Sequence, residues 1–439
     1  MQAPADARSL GPWMHTLLRR LFPICRSLAG PGNRETLRIL SETLPLAVSE
    51  VPSGTPVFDW TVPDEWTPRA GEIVGLDGVA RARFADCNLN LASHSAPVDA
   101  EMEREELLPH IFTLPDQPTV VPYVTRYYQR GWGFCMSEAE KRALPPGRYR
   151  VRIDADLKPG AMSYGEALLA GESAREVLIS TYICHPSMAN DNLSGIVVAT
   201  ALWRLLAALP RRRLSYRFVF VPETIGSLAW LARNHDTVKS RTVAGLVLSC
   251  IGDDGPFCWK ETRLGNTALD RLMAYLGGTR IPFTPVMGSD ERQYCSPGFD
   301  LPVVMLSRSH PGSFAFYHTA ADTPAHTPAE ALGASLEWVA RVVAAIEANA
   351  LRYRRTDPYG EPMLSKRGLY HTVSIRKGAD FDRARDPRSA LMWVLSLSDG
   401  EHDLLAIAER SGIALDMLAE AAVRAEAAGL IAPVEIAEG

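Results

Sequence analysis

Three short motifs in the middle of the chain contain histidine and carboxylate side chains that could bind a metal. CHPSMANDNLSG contains His185 and Asp191, VPETIGS contains Glu223, and YHTAADT contains His318. Neutral imidazole and carboxylate are preferred zinc ligands, and catalytic zinc sites use three protein ligands and leave one position open. Zinc in such a site polarises a carbonyl group, and a nearby carboxylate can act as general base. These residue types therefore indicate a site for a divalent metal such as zinc.

Each motif also has a purely structural interpretation. Asp191 lies just before a predicted helix and could be its N-cap, and Glu223 could be a carboxylate favoured by a helix dipole. In a metal site, the asparagines on both sides of Asp191 could hold its carboxylate, and Asp322 could orient the ring of His318. The spacing alone leaves both interpretations open.

The motifs must be positioned by the elements around them, and the first two directly follow apolar, β-branched runs. Such runs are typical of strands buried on both faces of a parallel sheet. Helical periodicity follows these two runs, at 194–209 and 227–234. Strands that alternate with helices predict an α/β domain with a mostly parallel mixed sheet, in which ligands bind at the carboxyl ends of the strands. The predicted strands are 176–182, 216–221, 242–250 and 302–306.

The segments on either side of this region have different patterns. From about residue 60 to 155, short alternating runs separated by glycines predict antiparallel strands with few helices. Residues 391–433 predict a helix-turn-helix followed by a wing. The second of these helices has three acidic residues and only Arg424 as a base, which favours a packing or interaction module over DNA binding.

The composition excludes several classes of protein. The 439 residues carry 46 Lys and Arg against 51 Asp and Glu, a net charge of −5, so there is no positive excess for nucleic acid. Seven cysteines without a CxxC pair indicate neither a disulfide framework nor a zinc ribbon, and they fit a reducing cytoplasm. The first residues lack the apolar run of a signal peptide, and no stretch reaches the roughly 20 apolar residues of a membrane span. We therefore predict a cytoplasmic protein without a membrane or nucleic-acid partner.

Taken together, the three motifs resemble those of the M28-like zinc aminopeptidase family. More closely, the chain is similar to aminopeptidase-like proteins with an inserted β domain and a C-terminal winged helix, because WGFC, SDERQY and LSDGEHDLLAIAERSG resemble signatures of that group. The resemblance implies an aminopeptidase-like zinc hydrolase domain formed by 1–60 and 156–355. It also implies an inserted β-rich domain at 61–155, and a linker with a winged-helix domain at 356–439.

The resemblance further implies that His185, Asp191, Glu223 and His318 surround one or two zinc ions. In the two-ion arrangement, Asp191 is the bridge. The family usually has two adjacent glutamates, a base and a ligand, whereas here Glu223 stands between a proline and a threonine. The usual acidic ligand on the next strand falls near Cys250, which could bind only as a thiolate. The number of ions therefore stays open, and a single ion held by Asp191, Glu223 and His318 would leave His185 to orient the substrate.

The general base and the substrate contacts have more than one candidate. The base is either Glu223 or a carboxylate of the SDERQ segment, Glu291 or Asp290. An aminopeptidase must also bind a free α-amino group, which needs a carboxylate such as Asp290 or Glu166, and Arg292 could pair with a substrate carboxylate. Aromatic residues of the β-rich segment could line the substrate pocket or belong to a core. These aromatic candidates are Tyr127, Tyr128 and Trp132.

We therefore predict a zinc-dependent hydrolase that cleaves an amide bond of a small substrate with a free amino terminus. The substrate would be a short peptide or an aminoacylated small molecule in a biosynthetic pathway. Two alternatives remain: a non-catalytic metal-binding or interaction protein, and a single-zinc acyltransferase or cyclase on the same fold, as in glutaminyl cyclases. The sequence does not determine whether the protein forms a homo-oligomer.

Overall fold

The structure is a computed structural model that describes residues 7–369 and 386–434. These residues form two compact units. The larger unit contains residues 7–270 and 277–337, and the smaller unit contains 271–276, 338–369 and 386–434. The helices are α1 (Gly11–Leu21), α2 (Pro31–Leu40), α3 (Arg104–Leu107), α4 (Glu138–Arg142), α5 (Ser194–Ala207), α6 (Ile225–Arg233), α7 (His235–Arg241), α8 (Ala268–Leu276), α9 (Glu291–Tyr294), α10 (Ala329–Ala348), α11 (Pro387–Leu397), α12 (Leu404–Ser411) and α13 (Leu415–Ala427). The strands are β1 (Ala47–Pro52), β2 (Pro56–Val57), β3 (Trp60–Thr61), β4 (Glu65–Gly75), β5 (Ala80–Arg81), β6 (Val98–Glu103), β7 (Ile111–Phe112), β8 (Phe134–Cys135), β9 (Arg148–Lys158), β10 (Ala161–Leu169), β11 (Glu176–Tyr182), β12 (Ser215–Val221), β13 (Thr242–Leu248), β14 (Cys258–Lys260), β15 (Thr279–Ile281), β16 (Val303–Ser307), β17 (Arg352–Arg355), β18 (Asp399–Asp403) and β19 (Ile431–Val434).

An eight-stranded mixed sheet in the order β1-β10-β12-β11-β13-β16-β14-β15 is the centre of the larger unit. Its four middle strands, β12, β11, β13 and β16, are parallel to one another. On one side β10 is antiparallel to β12, and β1 is antiparallel to β10. Every residue of β11 and β16 is buried, as expected for strands covered by helices on both faces. The predicted α/β fold with a mostly parallel sheet is confirmed.

The carboxyl ends of the four parallel strands lie on one edge of the sheet. β11 ends three residues before His185, and β12 ends two residues before Glu223. The third strand was predicted to reach residue 250 but ends at Leu248, because the backbone turns at Cys250 into the left-handed region with φ of 48°. This edge therefore gathers the loops that contain the sequence motifs.

A four-stranded antiparallel sheet, β5-β4-β9-β6, lies within the segment that precedes β10. In β9 the buried residues Tyr149, Val151 and Ile153 alternate with exposed arginines, which is the pattern of a sheet with one face against a core. The chain leaves the central sheet after β1 and returns in β10, where Pro52 and Ala161 are paired neighbours. The domain boundaries at 61 and 155 stay a prediction.

The smaller unit contains the predicted winged helix. α12 ends at Gly412, whose left-handed φ of 70° closes the helix, and α13 follows after three residues. β19 forms the wing and pairs with β17 in a three-stranded sheet. Within residues 7–369 and 386–434, no helix combines the length and apolar character that a membrane span requires.

Candidate metal centre and catalytic cavity

Three of the predicted ligands converge at the carboxyl edge of the central sheet. The Nε2 atom of His318 lies 3.0 Å from Oδ2 of Asp191, and the Nε2 atom of His185 lies 4.0 Å from the same oxygen. The ligand atoms of these three residues are all within 4.8 Å of one another. We call His185, Asp191 and His318 the ligand cluster.

Asp191 has the surroundings of a metal ligand. Its side chain is 1 % exposed, and among the described residues no group donates a well-directed hydrogen bond to Oδ2. The other oxygen, Oδ1, accepts a hydrogen bond from the Tyr182 hydroxyl group. Burial alone would raise the pKa of Asp191, but His185, His318 and the Tyr182 hydroxyl outweigh it and lower the pKa to about 2. A buried, ionised oxygen beside two imidazoles without a hydrogen bond fits a divalent cation.

His185 is present in the form that binds metal. Burial lowers its pKa to about 4, although the charge of Asp191 acts in the opposite direction, so the ring is neutral at pH 7. Its main-chain carbonyl accepts a hydrogen bond of 2.8 Å from Nε of Arg26, whose side chain is fully buried. Arg26, in the N-terminal segment of the chain, thus holds the loop that contains His185.

Glu223 lies beside the ligand cluster rather than within it. Its Oε2 atom is 3.9 Å from Nε2 of His185, and its Oε1 atom accepts a hydrogen bond of 2.7 Å from the Ser289 hydroxyl group. Burial raises the pKa of this carboxyl group, and the charges of Asp290 and Asp191 raise it further. One quarter of the side chain remains exposed, so the carboxylate is accessible from the cavity described below.

Cys184 forms a second group of potential ligand atoms together with His185 and Glu223. Burial raises the pKa of this thiol well above its usual value, so it stays protonated. A protonated thiol is a poor metal ligand, since the thiolate is the form that coordinates. Burial has the same effect on the pKa of Cys250, which makes it a weak replacement for the missing acidic ligand.

A cavity of about 230 Å³ opens onto these groups, and we call it the catalytic cavity. His185, Glu223 and His318 all contribute to its lining. The hydroxyl groups of Tyr123 and Tyr127 are 2.6 Å apart, and the Tyr123 ring centroid lies 5.2 Å from that of His185 and 5.4 Å from that of His318. The aromatic residues that line the cavity are Trp60, Tyr123, Tyr127 and Tyr128.

Four loops at this edge contain a non-glycine residue with a left-handed backbone. The φ angles are 39° at Ser187, 64° at Thr224, 48° at Cys250 and 53° at His318. Such conformations cost roughly 1–3 kcal/mol each and persist where the surrounding structure enforces them, most often at functional sites. Their concentration at this edge agrees with a functional site, in which the directions of the side chains are maintained although the backbone conformation is unfavourable.

The acidic residues of the SDERQ segment have protein partners close to the site, and their roles as base or amine ligand stay predictions. Glu291 is fully buried and forms an ion pair of 2.8 Å with Lys260, whose side chain is also fully buried. Asp290 is buried as well and accepts hydrogen bonds from the Thr224 amide (2.7 Å) and the Ser227 hydroxyl group (2.9 Å). Glu291 is therefore paired by the protein, whereas the Oδ2 atom of Asp290 is buried without a hydrogen-bond partner among the described residues.

The other candidate substrate residues are also engaged elsewhere. Arg292 donates hydrogen bonds to the carbonyl oxygens of Ser289 and Pro285. Glu166 lies on β10, where it pairs with an arginine of β12 at 3.1 Å and accepts a hydrogen bond from a tryptophan of α6. Trp132 stacks on His110 with ring centroids 3.7 Å apart, inside the β-rich segment. These three do not line the catalytic cavity, whereas Tyr127 and Tyr128 do.

The residues expected to orient the ligands have different partners. The amide nitrogens of Asn190 and Asn192 do not hold Asp191 but bind Asp253 and Thr181, respectively. The Asp322 carboxylate accepts hydrogen bonds from the main-chain amides of Asn190 (2.8 Å) and Asp191 (2.9 Å) instead of contacting the ring of His318. Asp322 therefore fixes the backbone of the ligand loop, and Tyr182, which the sequence argument missed, fixes the carboxylate.

Two family models match the chain. Residues 15–349 match a family described as a domain of unknown function, DUF4910. Residues 351–433 match a winged helix-turn-helix family.

Individual proteins are also similar to this chain. A Clostridium acetobutylicum protein named as a candidate polysaccharide biosynthesis protein with an aminopeptidase-like domain is 40 % identical over 414 residues, which cover 93 % of each chain. The crystal structure of a candidate peptidase from the same organism is 37 % identical, has a TM-score of 0.88 and covers 98 % of each chain. A zinc aminopeptidase from Bacillus subtilis is only 12 % identical, with a TM-score of 0.57 over 78 % of this chain and 95 % of its own. At that identity the likeness establishes the fold alone.

Proposed function

Because this chain belongs to the DUF4910 family and has the M28-like zinc aminopeptidase fold, we propose that it is a zinc-dependent hydrolase of amide bonds. The substrate is a small molecule with a free amino terminus, such as a short peptide or an aminoacylated compound. The name of the Clostridium acetobutylicum relative supports a role in a biosynthetic pathway. The seven cysteines support a cytoplasmic location.

The observation that carries the proposal is the buried Oδ2 atom of Asp191, which lies 3.0 Å from Nε2 of His318 and 4.0 Å from Nε2 of His185 and accepts no well-directed hydrogen bond among the described residues. In the proposal, His185, Asp191 and His318 hold one zinc ion, which is the usual number of protein ligands in a catalytic site. Zinc bound there supplies a Lewis acid that polarises the scissile carbonyl group. This assignment differs from the sequence-based hypothesis of a single ion held by Asp191, Glu223 and His318, because the structure groups His185 with the other two.

Glu223 is the general base in this proposal. The Ser289 hydroxyl group holds its Oε1 atom, so the Oε2 atom is the one that accepts a proton from the attacking water. A carboxyl group whose pKa is raised holds that proton long enough to pass it to the leaving amine. The Tyr123 and Tyr127 rings restrict the cavity, which favours small substrates over folded proteins.

Zinc content and hydrolysis, measured on the same preparations, test the proposal. We expect about one zinc ion per chain by elemental analysis, and hydrolysis of an amino-acid amide that a chelator abolishes and zinc restores. Asp191→Asn and His318→Ala should lose both the metal and the activity. Asp254→Asn, which changes an exposed carboxylate near the same edge, is the matched control and should keep both.

Two results would contradict the proposal. Full hydrolysis in Asp191→Asn or His318→Ala would show that the ligand cluster does not hold the catalytic metal. Full hydrolysis in Glu223→Gln, with zinc retained, would remove Glu223 as the base.

A further inference from the structure

A second cavity of about 210 Å³ adjoins the catalytic cavity, and we call it the side cavity. Tyr127 and Tyr128 line both cavities, so the same two rings form a common wall. Ligand sites in proteins usually have volumes of roughly 300–1,000 Å³, and each of these cavities alone is smaller than that range. The combined volume of the two cavities falls within this range, which suits a substrate that occupies both and extends past Tyr127 and Tyr128.

Arg126 gives the side cavity an uncompensated positive charge. Arg126 lines the cavity, and its guanidinium group packs against Gly131 and the Phe112 ring, whose centroid lies 5.9 Å from the guanidinium carbon. Its Nε atom is sealed from solvent without a hydrogen-bond partner among the described residues. The two terminal nitrogens have no hydrogen bond or ion pair among these residues either, and they are not sealed from solvent, so they are the donors that a ligand can reach.

The other charges of the side cavity compensate each other. Arg130 lies 3.6 Å from a carboxylate oxygen of Asp64, and the Arg130 side chain is 88 % exposed. This pair leaves Arg126 as the cation that lacks a counter-ion at the cavity. A guanidinium group binds carboxylate and phosphate through two parallel hydrogen bonds, which makes either group a suitable ligand.

We propose that Arg126 binds an anionic group of the substrate, a carboxylate or a phosphate, in the side cavity while the scissile amide lies in the catalytic cavity. The catalytic half of this inference rests on the function proposed above, whereas the anion site does not. Arg126 thus determines specificity, because a neutral analogue of the substrate leaves the guanidinium group unpaired.

A matched pair of substrates tests the specificity. Alanyl-phenylalanine carries a carboxylate that its amide, alanyl-phenylalaninamide, lacks. We expect a lower KM for the acid, and Arg126→Met should raise this KM roughly 10- to 100-fold while it changes the KM of the amide much less. Arg126→Lys keeps the charge but loses the two-point geometry, so it should retain part of the preference and guard against a variant that fails to fold. Arg130→Met removes an arginine from the same cavity and should keep the preference.

A binding measurement gives a readout that does not depend on activity. Inorganic phosphate and acetate are titrated into the purified protein, and the heat of binding is followed by isothermal titration calorimetry. Saturable binding of phosphate alone identifies a phosphate site, and binding of acetate alone identifies a carboxylate site. Either must weaken at least tenfold in Arg126→Met and stay unchanged in Arg130→Met.

The outcomes separate this inference from the proposed function. If no amide is hydrolysed but anion binding depends on Arg126, the hydrolase proposal fails and the anion site stands. If both dipeptide substrates are hydrolysed with the same KM in the wild type, or if Arg126→Met weakens both equally, the specificity role of Arg126 is refuted. Anion binding that is equal in the wild type and Arg126→Met refutes the anion site itself.

Discussion

Mutation of Glu291, which forms a buried ion pair with Lys260, tests whether this acidic residue next to the site has a structural or a catalytic role. The two side chains are fully buried and their charged atoms are 2.8 Å apart. Glu291→Gln removes the negative charge but keeps a carbonyl oxygen that can accept the hydrogen bond of the Ser289 amide. We expect this change to destabilise the protein and to leave the zinc content unchanged.

The size of the effect follows from the burial of both partners. Removing one partner of a buried pair typically costs about 3–5 kcal/mol, because the other charge is left without compensation. The Lys260 ammonium group would still donate to the carbonyl oxygens of Thr284 and Met287, which places the expected loss near 3 kcal/mol. An exposed pair such as Arg69 with Asp154 should contribute less than about 1 kcal/mol, so Asp154→Asn is the control.

Urea unfolding followed by tryptophan fluorescence measures this difference. With a slope of about 2–3 kcal/mol per molar urea, a loss of 3 kcal/mol lowers the midpoint by roughly 1 M or more. The double variant Lys260→Met with Glu291→Gln should be more stable than the two single effects predict, since it leaves no unpaired charge. A Glu291→Gln protein with a wild-type midpoint but no hydrolysis would refute the structural role and restore Glu291 as the base.

Three further changes test the surroundings of the site. Burial lowers the pKa of His94 to about 3, against about 6.5 in the unfolded chain, so the folded protein loses stability as the pH falls from 6.5 towards 3. Between pH 8 and pH 5 the wild type should therefore lose about 2 kcal/mol more stability than His94→Asn. Equal losses of the two proteins in urea unfolding would contradict this. Arg26→Met removes the hydrogen bond to the His185 carbonyl and should weaken zinc binding about tenfold in competition with a chelator, whereas unchanged affinity would show that the loop holds itself. Tyr182→Phe removes the hydrogen bond to Asp191 and should lower zinc affinity by a similar factor, and a wild-type affinity would show that the carboxylate is fixed by other contacts.

The sequence was sufficient to predict the central strands and the edge on which the site lies. The run from Glu176 to Tyr182 is apolar and β-branched on both faces, and only a strand buried between helices satisfies that pattern. Because parallel strands end on one edge, the positions of His185 and Glu223 followed directly from the strand ends. The edge strands β14 and β15 have three residues each, too short to give a recognisable period.

The directions of the Asp290 and Glu291 side chains could not be predicted from the sequence. Asp290 and Glu291 are adjacent at the start of a single helical turn, so their side chains point in directions about 100° apart. Their partners are distant in the chain, Lys260 for Glu291 and Thr224 for Asp290, and neither carboxylate lines the catalytic cavity. Tyr123 is another example, because it reaches the two histidines only through the path of the β-rich segment.

The pairing of Pro52 with Ala161 has a consequence for how this architecture can change. The excursion of the chain between them begins and ends at adjacent positions, so it can be shortened, lengthened or exchanged without breaking the hydrogen-bonded ladder from which it departs. It supplies the tyrosines of the two cavities, whereas His185, Asp191, Glu223 and His318 all come from outside it. If the proposed hydrolysis is correct, molecular selectivity and bond-breaking machinery are encoded in separable stretches, and a chimaera with a foreign excursion is expected to retain the chemistry while accepting a different compound.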